Sequence, residues 1–210
     1  ERYPHITVNP DFLSPGVWLN GQAIWTKDHI QQITSGRTFT HRGRLLAMHN
    51  HETYSNVEID SFMEKASAVS MEMDIPFIHH IWDPIFMQAE MITADAQHFM
   101  DYQSGNIHPS VVLENGDNIY IGENSEIRPG SILDASKGPI IIADHVYIDI
   151  GALIQGPVYI GPYCNINPGA KIRNNVTLGP LCKVGGEVEA VIFQGYCNKQ
   201  HDGFLGHSYL

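Results

Sequence analysis

The most regular stretch of this chain runs from Ile142 to Val188 and reads IADHVYIDIGALIQGPVYIGPYCNINPGAKIRNNVTLGPLCKVGGEV. Every sixth residue is aliphatic: Ile142, Ile148, Ile154, Ile160, Ile166, Ile172, Leu178 and Val184. Four residues after each of these lies a small apolar residue: Val146, Ala152, Val158, Cys164, Ala170, Val176, Cys182 and Val188. A period of six fits neither a helix nor one long alternating strand. It predicts short strands joined by tight turns, with three repeats forming one triangular coil and stacked coils burying a continuous core.

A less regular version of the same six-residue pattern precedes this repeat. Its aliphatic residues are Ile121, Ile127 and Leu133, and Ser125 and Ser131 take the small positions. The step from Leu133 to Ile142 is nine residues instead of six. We therefore expect the segment 136–138 to bulge out of its coil.

The three cysteines lie within or just after the repeat. Cys164 and Cys182 occupy small inward positions on successive coils, so we expect them to stack. We interpret them as buried thiols that serve as small apolar residues, with metal ligation or redox chemistry as the alternative. Three cysteines do not look like a disulfide framework, which favours a reducing compartment and a cytoplasmic protein.

Charge and hydropathy exclude several classes of partner. The chain has 12 Lys and Arg against 23 Asp and Glu, a formal net charge of −11. An acidic chain without a basic run is unlike proteins whose main partner is nucleic acid or an anionic membrane surface. Hydrophobic residues make up 43% of the chain, which is enough for a packed core.

The first half shows no repeat. Strands are expected over 16–19, 44–48 and 76–81, and a short helix is expected from Thr26 to Ile33. Asp83 and Pro84 favour a longer helix to about residue 102, with Asp83 as N-cap and Pro84 at the first helical position. Its expected core face is Phe86, Ala89, Ile92, Ala96, Phe99 and Met100. The histidines at 49, 51, 79 and 80 are interpreted as surface residues, with metal binding as the alternative.

The repeat rule fails after Val188, in a segment rich in glycine and polar residues at 193–206. Leu205 then resumes the repeat in a shifted frame. A solenoid that gives up its core pattern there favours a functional site. His201 in this segment suits general-base work: it could deprotonate an amine that attacks a thioester carbonyl, while loop N–H groups stabilise the oxyanion. Asp202 or a backbone carbonyl could orient the ring. The alternative is an ordinary loop histidine.

Two stretches carry a resemblance to a known family, KVGGEV at 183–188 and GYCNKQHDGFLG at 195–206. They resemble bifunctional N-acetylglucosamine-1-phosphate uridyltransferase/glucosamine-1-phosphate N-acetyltransferase proteins, especially an alternative branch of that family. The segments 19–21 and 81–83 also resemble that branch. The repeat itself resembles the hexapeptide repeats of left-handed parallel β-helices.

The resemblance implies a mainly β fold in two parts. Residues 1–105 are expected to be the C-terminal part of an α/β nucleotidyltransferase-like domain, and residues 106–210 a left-handed β-helix acyltransferase-like domain. The implied reaction is acetyl transfer from acetyl-coenzyme A to an amino-sugar phosphate similar to glucosamine-1-phosphate, in UDP-N-acetylglucosamine biosynthesis for the cell envelope. The implied assembly is a homotrimer.

The resemblance also implies site residues. His201 is expected to be the general base, and the substrate-binding residues are expected to be Asn198, Lys199, Asp202, Phe204, Asn167 and Lys183. Phe204 stands where the better-known branch has tyrosine, and Asn167 stands where that branch has a phosphate-binding arginine. The lysines that this branch carries one coil later fall near Gly185 and Gly186. Arg173 or Lys183 is the candidate replacement.

Both ends of the chain are interpreted as cut. The nucleotide-binding loop is expected before Glu1, so the Mg²⁺ site of the nucleotidyltransferase half is expected to be incomplete. Much of the acetyl-coenzyme A site is expected after Leu210. No resident metal is expected. Three alternatives stay open: a nucleotidyltransferase with the β-helix as a trimerisation scaffold, a non-catalytic assembly module, and a metal hydratase that uses His145, His201 and His207.

Overall fold

The computed structural model of the chain describes residues 11–33, 37–55 and 70–210. The chain divides into two compact units, Glu1–His79 and His80–Leu210. This division lies before the predicted boundary at 105/106, because the helix that follows His80 packs on the strands of the second unit. None of the helices in the described ranges has the length and apolar character that crossing a bilayer requires.

The first unit is built around a four-stranded sheet with the strand order β2-β4-β3-β6. Strands β2 and β3 run antiparallel to β4, and β6 runs parallel to β3. The elements are β1 (Phe12–Leu13), β2 (Gly16–Leu19), α1 (Lys27–Gln32), β3 (Thr38–His41), β4 (Arg44–Asn50), β5 (Tyr54–Ser55) and β6 (Ser70–Glu72). The core consists of Ala23, Phe39, Leu46, Ala47, Met73, Ile75 and Phe77.

Local signals in this unit predicted some elements correctly. Helix α1 begins after Thr26, whose Oγ1 accepts a hydrogen bond from the backbone N–H of His29 at 3.3 Å. The strand expected at 44–48 is present as β4. The strand expected at 76–81 is wrong: only an isolated bridge joins Phe77 to Ala23. Pro76 has no N–H to donate, which limits the pairing of this segment.

The second unit is a parallel β-solenoid with three strands per coil. Its strands are β7 (Asn106–Ile107), β8 (Val112–Glu114), β9 (Ile119–Ile121), β10 (Glu126–Ile127), β11 (Ile132–Asp134), β12 (Ile140–Ile142), β13 (Tyr147–Ile148), β14 (Leu153–Gln155), β15 (Val158–Ile160), β16 (Asn165–Ile166), β17 (Lys171–Ile172), β18 (Val176–Leu178), β19 (Lys183–Val184), β20 (Glu187–Phe193), β21 (Asn198–Lys199) and β22 (Phe204–Tyr209).

The strands stack into three faces, and the first of them defines six coils. Face 1 is the six-stranded sheet β7-β10-β13-β16-β19-β21. Face 2 contains β8, β11, β14, β17 and the start of β20, and face 3 contains β9, β12, β15, β18 and the end of β20. Strand β22 pairs with β20 in the last coil. The predicted mainly β solenoid is therefore confirmed.

The core of the solenoid follows the repeat. All sixteen aliphatic and small residues identified between Ile142 and Val188 are 1% exposed or less. In the looser first coils, Ser125 and Ser131 are also buried, as their positions require. The Ser125 hydroxyl donates to the carbonyl of Ala143 at 2.7 Å, and the Ser131 hydroxyl donates to that of Asp149 at 3.1 Å. These bonds satisfy polar atoms that would otherwise be costly to bury. The residues at 136–138 form the expected bulged turn.

Helix α2 (Asp83–Asp95) packs on face 3. Its N-cap is Trp82, not Asp83, and the Asp83 carboxylate accepts a hydrogen bond from the backbone N–H of His80. A 3₁₀ turn over Ala96–Phe99 follows the helix.

The buried face of α2 is rotated from the expected one. Ile85, Gln88, Ile92 and Ala96 are buried, whereas Phe86 and Met100 are exposed. The Gln88 side chain accepts a hydrogen bond from the Thr177 hydroxyl at 3.0 Å, so a polar residue takes a core position. Ile92, Ala96 and Phe99 of the expected face do pack on the solenoid, so hydrophobicity alone predicted the buried side of α2 only in part.

The cysteines form a single column of the solenoid. Asn165, Lys183 and Asn198 are register partners, so the residues before them, Cys164, Cys182 and Cys197, lie on successive coils. The expected stacking of the first two is confirmed, and the third was missed. No disulfide joins any of the three. A hydrogen bond with Cys182, together with burial, raises the pKa of the Cys164 thiol.

The three thiols differ in burial, and they are therefore expected to react with an alkylating reagent at different rates. Cys197 is partly exposed, whereas Cys164 and Cys182 are buried. Because alkylation requires an accessible thiolate, we expect iodoacetamide to modify Cys197 in the native protein and the other two only after unfolding. Mass spectrometry of tryptic peptides, with and without urea, measures the order. Fast native modification of Cys164 would contradict the stacked, buried column.

Candidate functional site

His201 lies in the corner between β21 and β22, in the last coil. The repeat rule fails here as predicted, since Lys199 is the register partner of the inward Val184, but the solenoid itself is not interrupted. The winding continues, because β21 pairs with β19 and β22 pairs with β20. What changes is the length of the coil: Lys183 pairs with Asn198, fifteen positions further on, whereas Asn165 pairs with Lys183, eighteen positions further on.

The shortened coil moves Lys199 into a core column. Lys199 is the register partner of Val184, which is the partner of Ile166. Its ammonium donates to the carbonyls of Gly185 at 2.7 Å, His201 at 3.0 Å and Gly203 at 2.8 Å. An ammonium group has three donors, and all three are used here. In this geometry Lys199 holds the corner and has no donor left for a substrate phosphate.

Asn167 holds the same corner from two coils below. Its Nδ2 donates to the carbonyl of Gln200 at 3.0 Å, across the intervening coil. The path passes Gly185, where an added Cβ would collide with that carbonyl and lie 3.0 Å from Nδ2. The absence of a side chain at Gly185 is therefore what lets the amide reach Gln200.

The imidazole of His201 is exposed, and within the described residues it makes no hydrogen bond. Asp202 is also exposed, and no hydrogen bond joins its carboxylate to the ring in the described part of the chain. The carbonyl of His201 and the carbonyl before it, that of Gln200, are both anchored. An accessible side chain thus projects from a fixed stretch of backbone.

Lys183 and Asn198 lie side by side on the outer surface of face 1. They are register partners on adjacent strands, which lie about 4.8 Å apart in a sheet. Both side chains are exposed. Across residues 11–33, 37–55 and 70–210, the Lys183 ammonium makes neither an ion pair nor a hydrogen bond. This part of face 1 therefore presents a free cation beside an amide, next to the His201 corner.

Two other candidate residues lie on face 2. Phe204 is the register partner of Glu187, and its ring, which is 60% exposed, covers the backbone at Gly206. Arg173 pairs with Glu187 at 3.1 Å and with Glu189 at 3.0 Å. Its charge is already balanced by carboxylates, so Lys183 is the better candidate for an anionic group.

The histidines named for a metal site lie in different coils. His145 is in the third coil, where its ring stacks on Tyr163 at 4.8 Å, whereas His201 and His207 belong to the last coil. In the described ranges, no three His, Cys, Asp or Glu side chains are grouped so that they could hold a metal ion.

The roles of Gln200 and Gly185 were missed in the sequence. A signal for them existed in the cysteine spacing: Cys182 and Cys197 are fifteen residues apart, whereas Cys164 and Cys182 are eighteen apart. Taking this spacing as one shortened coil would have placed Lys199 in the column of Ile166 and Val184.

One family match covers part of the solenoid. Residues 139–174 match the family described as bacterial transferase hexapeptide, six repeats. These residues span β12 to β17, the most regular part of the unit. No curated protein matches the chain. The third and fourth coils are therefore similar to the hexapeptide repeats of bacterial transferases.

Proposed function

We propose that this protein transfers an acetyl group from acetyl-coenzyme A to the amine of an amino-sugar phosphate, with His201 as the general base. The observation that carries the proposal is the exposed imidazole on a corner whose backbone is anchored on both sides of His201. The match of residues 139–174, in the same solenoid, to bacterial transferase hexapeptide repeats supports acyl transfer as the class of reaction.

The proposed step is an aminolysis of a thioester. The sugar amine attacks the carbonyl carbon, a C–N bond forms, and the His201 imidazole takes a proton from the attacking nitrogen. The C–S bond then breaks, and the proton passes to the departing thiolate, which leaves as a thiol. An imidazole can accept a proton and then release it, which suits both proton transfers. Acetyl-coenzyme A supplies the activated acyl group.

The acceptor is proposed to bind on face 1. Lys183 offers a compact positive charge for the phosphate, and Asn198 offers an amide for a hydroxyl or carbonyl. Asp202 adjoins His201, and we propose that it contacts the incoming amine. The exposed Phe204 ring at the start of face 2 is proposed to border the acceptor.

The same proposal covers the acceptor sugar, the pathway, the compartment and the assembly. An amine and a phosphate on one sugar define a glucosamine-1-phosphate-like acceptor, and its acetylated product leads to UDP-N-acetylglucosamine for the cell envelope. We place the reaction in the cytoplasm and the enzyme in a left-handed β-helical homotrimer. The first unit is proposed to derive from an α/β nucleotidyltransferase domain that uses Mg²⁺.

A second candidate function is nucleotidyl transfer alone, with the solenoid as a scaffold. One observation favours it: Asn167 and Lys199, both expected to bind substrate, donate their hydrogen bonds to backbone carbonyls. Of the two lysines predicted to bind substrate, Lys183 is then the one whose ammonium is available for the phosphate of an acceptor.

The test uses the full-length protein and follows thiol release from acetyl-coenzyme A. The acceptors are glucosamine-1-phosphate, galactosamine-1-phosphate, glucosamine-6-phosphate and unphosphorylated glucosamine, with N-acetylglucosamine-1-phosphate as the control that lacks an amine. We expect release with one phosphorylated amino sugar and none with the control. Stable protein that turns over a nucleotide sugar without releasing thiol would instead favour the scaffold.

A further inference from the structure

We propose that Lys199 and Asn167 are positioning residues that fix the direction of the His201 side chain without contacting substrate. We call the two side chains and the carbonyls of Gln200 and His201 the carbonyl clamp. This inference rests on the proposed function and deepens it, because it assigns a role in the same site to residues that sequence comparison would count as substrate ligands.

The clamp acts on the two peptide planes that meet at His201. The carbonyl of Gln200 belongs to the plane before the Cα atom, and the carbonyl of His201 belongs to the plane after it. Asn167 holds the first carbonyl and Lys199 holds the second. Since each peptide unit is planar, fixing both planes defines φ and ψ of His201 and therefore the direction of its Cα–Cβ bond. Only the side-chain torsions stay free.

The placement of Lys199 in a core column has an energetic cost, and a positioning role explains why the protein carries a lysine there. The same column holds Ile148, Ile166 and Val184 in the coils below. An aliphatic residue there would extend the core, whereas a partly buried ammonium loses hydration. Three charge-assisted hydrogen bonds of 2.7–3.0 Å offset that loss. All three acceptors are backbone atoms, and two of them belong to the His201 corner.

The corner itself needs this support. Gly203 has a φ of +116°, a conformation that side-chain-bearing residues rarely adopt. Its carbonyl also accepts from the backbone N–H of Glu187 at 3.1 Å. Without the Lys199 ammonium, the carbonyl of His201 loses its donor, and the corner is free to take other conformations. A misplaced base then costs rate, because catalysis depends on its alignment with the reacting atoms.

The first test replaces Lys199 with methionine. The methionine side chain is nearly as long as that of lysine but has no hydrogen-bond donor. Methionine is also compatible with an inward column of aliphatic residues, so the solenoid is expected to stay folded. We expect kcat for acetyl transfer to fall by about 10- to 100-fold, with KM for the amino-sugar phosphate nearly unchanged. The matched variant Lys183→Met, on the outer surface of face 1, is expected to raise KM instead.

The second test follows hydrogen exchange of the Glu187 amide, whose N–H donates to the carbonyl of Gly203 in the His201 corner at 3.1 Å. In Lys199→Met we expect roughly tenfold faster exchange at this amide. Asn167→Asp, which keeps the shape but loses the donor, is expected to do the same. His201→Ala is the control, and its Glu187 amide is expected to exchange as in the wild type.

The outcomes separate this inference from the proposed function. A rise in KM at constant kcat in Lys199→Met would mean that Lys199 binds the acceptor, and unchanged exchange of the Glu187 amide would mean that Lys199 does not hold the corner. Either result overturns the clamp. If the wild-type protein transfers no acetyl group, the proposed function fails, and the exchange measurement alone decides whether Lys199 and Asn167 fix the backbone of His201.

Discussion

Replacement of His201 with alanine is expected to lower kcat for acetyl transfer by about 10²-fold or more, the usual cost of losing a general base. The imidazole is exposed and has no hydrogen bond within the described residues, so the folded solenoid does not depend on it. Stability should therefore change by no more than about 0.5 kcal/mol. Thiol release and urea unfolding of the same samples measure both effects.

The matched control for His201 is another exposed histidine of the solenoid. His145 occupies a corner of the third coil with a φ of +58°, a conformation that asparagine tolerates well. His145→Asn is therefore expected to keep both the fold and full activity. If His201→Ala keeps wild-type activity while the wild-type enzyme transfers acetyl groups, His201 is an ordinary corner histidine and another group is the base.

The largest expected loss of stability comes from truncating the aliphatic column. Ile166 is fully buried in the fourth coil, between Ile148 and Val184 on its neighbours. Ile166→Ala removes apolar contacts and leaves a cavity that the stacked coils close only in part. We expect a loss of about 2–5 kcal/mol in the free energy of unfolding. Urea titration followed by circular dichroism measures it.

Ile150 provides the comparison for Ile166. It lies at a corner of the same solenoid and is 50% exposed. Ile150→Ala removes the same atoms from a position where water already reaches the side chain, so a loss of about 0.5 kcal/mol or less is expected. Equal losses for the two variants would contradict the assignment of inward and outward residues in the repeat.

The inward residues of the regular coils could be predicted from sequence because their rule is local. In a strand, successive side chains point to opposite faces, and tight turns of constant length carry that alternation from one strand to the next. The inward aliphatic residues from Ile142 to Val184 could therefore be identified without knowledge of distant residues. The same rule correctly placed Ser125 and Ser131 in the core.

The predictions fail where burial depends on contacts between residues that are far apart in the sequence. Helix α2 carries apolar residues on more than one side, and its buried side was decided by the shape and polarity of face 3, where Thr177 accommodates Gln88. Likewise, the repeat rule failed at 193–206 because the rule assumes a constant coil length. One shortened coil is enough to move Lys199 from an expected substrate contact to a core column.

The structure distributes the site residues named from the sequence over three coils. Lys183 and Asn198 are register partners on face 1, His201 lies in the corner that follows Asn198, and Phe204 lies on face 2. Asn167 lies two coils below, and its amide is bonded to the carbonyl of Gln200. A residue list taken from sequence does not tell which of these side chains are bonded to the backbone and which are exposed.

The solenoid follows from the sequence alone, since a period of six with a constant pattern of large and small residues allows few other ways to bury them. The hydrogen-bond partners around His201 follow only from the way in which the coils stack. Asn167, Gly185 and Gln200 belong to three different coils, and they meet because stacked strands lie about 4.8 Å apart. Which residues stack depends on the length of every intervening turn, and a single shortened coil changes all the partners beyond it.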